Sequence, residues 1–146
     1  MRILVVPTLF SLVLVCGSAT ACCTPPGVEA QLFTRRGEGG TITYAISNER
    51  AKALPTWSPG SGEPPLSITA AIESARASVL ASSSDLKSLE PDRISLNFRD
   101  AYGGNPGFWY YDVAFSPTVA GRRALVPGIG AVVLLDGSVV EPRDGE

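Results

Sequence analysis

Phe108-Trp109-Tyr110-Tyr111-Asp112-Val113-Ala114-Phe115 is the stretch whose reading decides the fold. Successive side chains of a strand point to opposite faces, so Trp109, Tyr111, Val113 and Phe115 share one face while Phe108, Tyr110, Asp112 and Ala114 share the other. Both faces carry large rings. A single helix covers only one face of a sheet, so the pair Phe108 and Tyr110 is either exposed as an adhesive patch or covered by a loop such as the Trp57 segment. Cross-strand aromatic packing favours the covered arrangement. The exposed arrangement makes Trp57, Phe108 and Tyr110 the candidate binding residues.

Working outward, Ile94, Leu96 and Phe98 alternate with Arg93, Ser95, Asn97 and Arg99, the inside and outside pattern of a neighbouring strand. Gly103-Gly104-Asn105-Pro106-Gly107 is a turn between them. Downstream, residues 131–135 are apolar on both faces and suit a central strand. Asp136-Gly137 signals a hairpin that returns through Val139-Val140 before Pro142.

Upstream, Ile42, Tyr44 and Ile46 share one face of a strand over residues 41–46, and Leu32-Phe33 can pair back with it across the glycine-rich turn. Residues 47–54 read as a turn of helix. Residues 55–65 hold four prolines and two glycines, which excludes regular structure and carries Trp57 across the surface or into a cleft. The strongest helix follows over residues 67–81. Ser67 is its N-cap, and Ile68, Ile72, Ala75, Val79 and Leu80 gather on one side.

The expected fold is α+β: one main helix packed on an antiparallel sheet of about four or five strands, because sequential strands joined by short turns pair antiparallel. The domain plan is a signal segment over residues 1–21, a tether over 22–40, a single domain over 41–142 and a frayed tail over 143–146. The mature length suits one core.

The start of the chain points to export. Arg2 supplies a charged start, residues 3–15 are almost wholly apolar, and Ala19-Thr20-Ala21 offers the small residues a signal peptidase needs. The run is short of the ~20 residues of a spanning helix. All three cysteines, Cys16, Cys22 and Cys23, lie in or beside this segment, so no disulfide framework staples the body. Ala19-Thr20-Ala21-Cys22 resembles a bacterial lipobox, which implies lipidation of Cys22. Ordinary cleavage after Ala21 is the other reading.

The order of elements resembles a PepSY-type domain, a small exported fold in which a helix precedes an antiparallel sheet. The residues that carry the resemblance are the helix over 67–81, Tyr111-Asp112-Val113-Ala114-Phe115, and Val132-Val133-Leu134-Leu135-Asp136-Gly137-Ser138-Val139. It implies regulatory or inhibitory binding in the cell envelope, and no catalytic residue carries over.

Twelve basic and 14 acidic residues, net charge −2, argue against nucleic acid, whose phosphates need a concentrated basic face. The chain has no histidine, so His-assisted serine and cysteine triads cannot be assembled and zinc loses its usual ligands. Ser84-Asp85-Leu86-Lys87 matches the Ser-x-x-Lys nucleophile motif, yet its partner motifs are missing. Asp85, Glu90 and Asp92 read as a solvated loop rather than a calcium site, and no cofactor or metal is expected. The expected function is therefore a non-enzymatic envelope protein, periplasmic or lipid-anchored, that binds a protein or peptide through the face around Tyr110 or through a sheet edge. A small-ligand carrier with a cavity between helix and sheet is the second reading, and a hydrolase of unknown type the third.

Overall fold

The structure is a computed structural model that describes residues 29–37, 40–83, 85–86, 88–101, 107–119, 122–124 and 129–144. In chain order the elements are β1 (Glu29–Gly37), β2 (Gly40–Ser47), α1 (Asn48–Ala53), α2 (Ile68–Ser82), β3 (Leu89–Arg99), β4 (Phe108–Val119), β5 (Arg122–Arg123), β6 (Gly130–Leu134), β7 (Val139–Val140) and β8 (Pro142–Asp144). The fold is α+β, as the sequence pattern requires. The signal segment and Cys22 lie outside the described residues, as do Ser84 and Lys87.

The main sheet is antiparallel and five-stranded, in the order β3-β4-β6-β7, with β5 paired to the end of β4. Its last hairpin turns at Gly137, whose φ of 85° suits a residue without a Cβ. There the Gly137 N–H donates to the Leu134 carbonyl and the Leu134 N–H to the Ser138 carbonyl, each at 2.9 Å. Asp136 accepts from the Ser138 N–H and closes the turn.

Helix α2 covers one face of this sheet. Ser67 caps it by accepting from the Ala70 N–H at 3.2 Å. Ala71, Ala75 and Val79, four residues apart, face Tyr111, Val113, Phe115, Ala131, Val133 and Leu135 in one buried cluster. Ile72, Leu80 and Leu96 pack against it half-buried. Ile68 departs from the expected stripe. It stands 55% exposed on the first turn, and Ala71 takes the buried position instead, because small side chains let the helix axis approach the sheet.

The other face is covered by a second, three-stranded antiparallel sheet, in the order β1-β2-β8, together with the short helix α1. Leu32, Tyr44, Ile46, Ala51 and Leu54 bury Phe108, Tyr110, Val132, Leu134 and Val140 between the two sheets. The Tyr44 hydroxyl donates to the Gly130 carbonyl at 3.3 Å and ties the layers together. Two expectations change as a result. About half of the expected tether is strand β1, which makes the pairing expected of the Leu32-Phe33 segment with the strand over residues 41–46 and carries a register shift between Gln31 and Phe33. The expected frayed tail holds β8, paired with β2 through Ile42, Thr43 and Tyr44. Arg122-Arg123 forms β5, paired with Thr118 and Val119 at the end of β4.

Leu134 is fully buried and Ile68 is mostly exposed, so the two positions separate core from surface. Leu134→Ala is expected to cost about 2–5 kcal/mol of unfolding free energy. Ile68→Ala is expected to stay within about 0.5 kcal/mol of wild type in the same urea titration.

Candidate binding edge and groove

Phe108 and Tyr110 are 4% and 7% exposed, which corrects the candidate surface. Their cover is the β1-β2 layer and α1, not the Trp57 segment, which packs on the opposite face. Neither ring offers a patch to a partner. An edge of the main sheet is the feature that remains.

Among the described residues β3 pairs with β4 alone and forms one edge of the main sheet. Its first half is guarded. Pro91 lacks an N–H, charged Glu90, Asp92 and Arg93 are exposed, and the register shifts between Pro91 and Arg93. Its second half, from Ile94 to Phe98, has no proline, charge or register shift.

The direction of the backbone groups there follows from the ladder. The Phe115 N–H donates to the Ile129 carbonyl at 3.0 Å, toward β6. Antiparallel alternation then turns Tyr111 and Val113 toward β6 and Phe108, Tyr110 and Asp112 toward β3. The partners of the latter three, Arg99, Asn97 and Ser95, spend their backbone groups on β4. The N–H and C=O of Ile94, Leu96 and Phe98 therefore point away from the sheet.

The side chains of these three residues lie opposite Val113, Tyr111 and Trp109, on the α2 face. Helix α2 does not reach over them fully. A groove of about 340 Å³ remains, lined by Glu63, Pro64, Ser67, Ile68, Ile94, Leu96 and Tyr111. Ile68 and Phe98, the latter 48% exposed, are the exposed large apolar residues beside it. The Tyr111 hydroxyl donates to the Leu66 carbonyl at 2.9 Å and pins the start of α2 to the floor.

An aromatic cluster continues the floor. Trp109 meets Trp57 edge-on at 5.1 Å between ring centroids and Phe98 at 5.0 Å in a tilted contact. Trp57 is held in turn by its indole N–H, which donates to the Gly62 carbonyl at 3.1 Å. Gly107 is a glycine for a steric reason, since a Cβ there would collide with the Phe98 ring and crowd the Arg99 carbonyl.

On the other face of β3, Arg93, Ser95, Asn97 and Arg99 form a polar strip that contributes nothing to the cluster between the sheets. Arg93 bonds the buried Asp112 carboxylate at 3.3 Å. The Nε of Arg99 is buried without a hydrogen-bond partner. Burial pushes the Tyr110 phenol up from its ordinary 10.0, Asp112 adds to the rise and Arg99 opposes it. Burial alone raises Tyr111.

Among the described residues no group of three or more His, Cys, Asp or Glu side chains gathers to hold a metal ion. No helix there is long and apolar enough to cross a membrane. Of the candidate residues Trp57 packs against Trp109 on the same face of the sheet as the groove, while Ile68 and Leu96, which line the groove, and exposed Phe98 were missed. The signal for the last two was present, because an apolar alternation beside a proline and charges marks an edge strand rather than a central one.

Comparison of the chain with protein-family models, with curated proteins and with solved structures found no match.

The raised phenols set a pH dependence. A group whose folded pKa exceeds its unfolded value contributes stability below the unfolded value and loses it as pH rises through the folded one. Thermal midpoints are therefore expected to fall once pH exceeds about 10, the model-compound value for tyrosine. In Tyr110→Phe this alkaline slope is expected to be shallower, read by circular dichroism beside tyrosinate absorbance.

Proposed function

We propose that this protein is an exported, non-enzymatic envelope protein that binds a protein or peptide partner by strand addition to β3. The observation that carries the reading is the outward-facing backbone of Ile94, Leu96 and Phe98 beside an apolar groove. An extended segment laid along this edge satisfies those N–H and C=O groups and places every second side chain in the groove, which supplies affinity from the backbone and selectivity from the pocket. The PepSY-type resemblance of the sequence agrees with a regulatory or inhibitory role in the envelope. Export itself rests on the leader, and the intact mass of the protein recovered from the envelope tests it: loss of residues 1–21 is expected, with added acyl mass if Cys22 is lipidated, whereas the full-length mass contradicts export.

A groove of about 340 Å³ also lies within the size range of small-ligand sites. A small apolar ligand is thus the second reading. It needs no backbone pairing.

Both tryptophans of the chain lie in the cluster beside the groove, so intrinsic fluorescence reports occupancy directly. A seven-residue peptide alternating threonine and valine is expected to shift the emission, and its copy N-methylated at every residue, which has no backbone N–H to donate, is expected to leave it unchanged. Leu96→Asp is expected to lose the response while Ile68→Ala keeps its fold and weakens it. Equal binding of the N-methylated copy contradicts strand addition and favours the small-ligand reading.

A further inference from the structure

We infer that the strand added to β3 alternates apolar with polar residues and carries carboxylates where it passes Arg99 and Arg93. This rests on the strand-addition reading and specifies the partner's chemistry. An added strand continues the pleat, so its residues opposite Ile94, Leu96 and Phe98 lie on the α2 face and its residues opposite Arg93, Ser95, Asn97 and Arg99 lie on the other. The two faces differ sharply in chemistry. The first is the apolar groove with Ile68 and Phe98 exposed at its border. The second begins and ends in arginine, with Ser95 and Asn97 between.

The two arginines are not equivalent. Arg93 already shares the Asp112 carboxylate, although its side chain stays 66% exposed and open to a second partner. Arg99 has no ion pair among the described residues and a buried Nε without an acceptor. A guanidinium presents its donors in a rigid fork suited to a carboxylate, so an acidic side chain opposite Arg99 pairs with the accessible part of this half-exposed, otherwise unpaired cation. Asn97 donates to Ser95, its Nδ2 reaching the carbonyl at 3.3 Å and the hydroxyl at 3.4 Å. Small hydroxyl residues match that middle section.

The matching segment therefore reads acidic, apolar, polar, apolar, polar, apolar, acidic over seven residues. The pattern is palindromic and suits antiparallel or parallel addition alike. A second copy of this chain fits less well. Centred on Leu96, two β3 strands place Arg93 opposite Arg99 twice, and like charges directly opposite each other are unfavourable.

Three peptides test the inference on the full chain: Glu-Val-Thr-Val-Thr-Val-Glu, the same with lysine at both ends, and the same with neutral glutamine ends. Titration calorimetry is expected to rank them acidic, neutral, basic, with about tenfold between the extremes at low salt. The gap is expected to close at about 1 M salt, where screening acts within ~3 Å. Arg99→Gln, a change at a half-exposed position, is expected to shrink the gap at low salt while the neutral peptide binds as before. Equal affinities for all three peptides overturn the carboxylate assignment and leave strand addition standing. Binding of none of them overturns both. A dimer in sedimentation that Leu96→Asp dissociates also overturns the inference, because the edge is then filled by a second copy.

Discussion

Strand β4 is apolar on both faces, and the rest of the molecule is arranged to satisfy that constraint. Tyr111, Val113 and Phe115 need α2, while Phe108 and Tyr110 need a second cover. Each large ring buried contributes hydrophobic free energy in proportion to its area, on the order of 25 cal/mol per Å². Neither face can be left open in a domain of this size without losing much of its marginal stability. The β1-β2-β8 layer exists to close the second face. It is reached by a chain that leaves β7, passes Glu141 and enters the other sheet as β8.

Much of this was legible in the residues. The period-two runs of Tyr44 and Ile46, of Leu96 and Phe98, and of Tyr111 and Val113 mark strands. Ser67 and the apolar spacing behind it mark the helix, and Asp136-Gly137 marks the hairpin. Sequence reasoning also recognised that one helix leaves a face of the sheet uncovered. It paired Leu32-Phe33 with the strand over residues 41–46, as β1 and β2 do pair, but it did not lay that hairpin over Phe108 and Tyr110, and it missed β8, three residues long with a proline at its start. Assignment of a strand to one sheet or another depends on contacts far apart in sequence, as between Tyr44 and Gly130. Local pattern carries no such information.

The candidate site follows from the same arrangement. Because α2 sits over β6 and β4, the outer strand β3 keeps an apolar face that is only partly covered, with Ile94 and Leu96 half-buried and Phe98 exposed. Proteins usually blunt such edges, and here the blunting stops at Arg93. Trp57, Trp109 and Phe98 then hold the border of the groove in place through ring contacts and one indole hydrogen bond. The groove is thereby linked to the fold through the reach of one helix.

The measurement that bears most directly on this architecture is native-state amide hydrogen exchange of the free protein, resolved by residue. Slowest exchange is expected at Tyr111 and Val113 in β4 and at Val132 and Val133 in β6, with the Ile94, Leu96 and Phe98 amides exchanging far faster than their neighbours Ser95 and Asn97. Protection of Leu96 and Phe98 equal to that of β6, or fast exchange throughout β4, contradicts a doubly covered central strand with an open edge beside it.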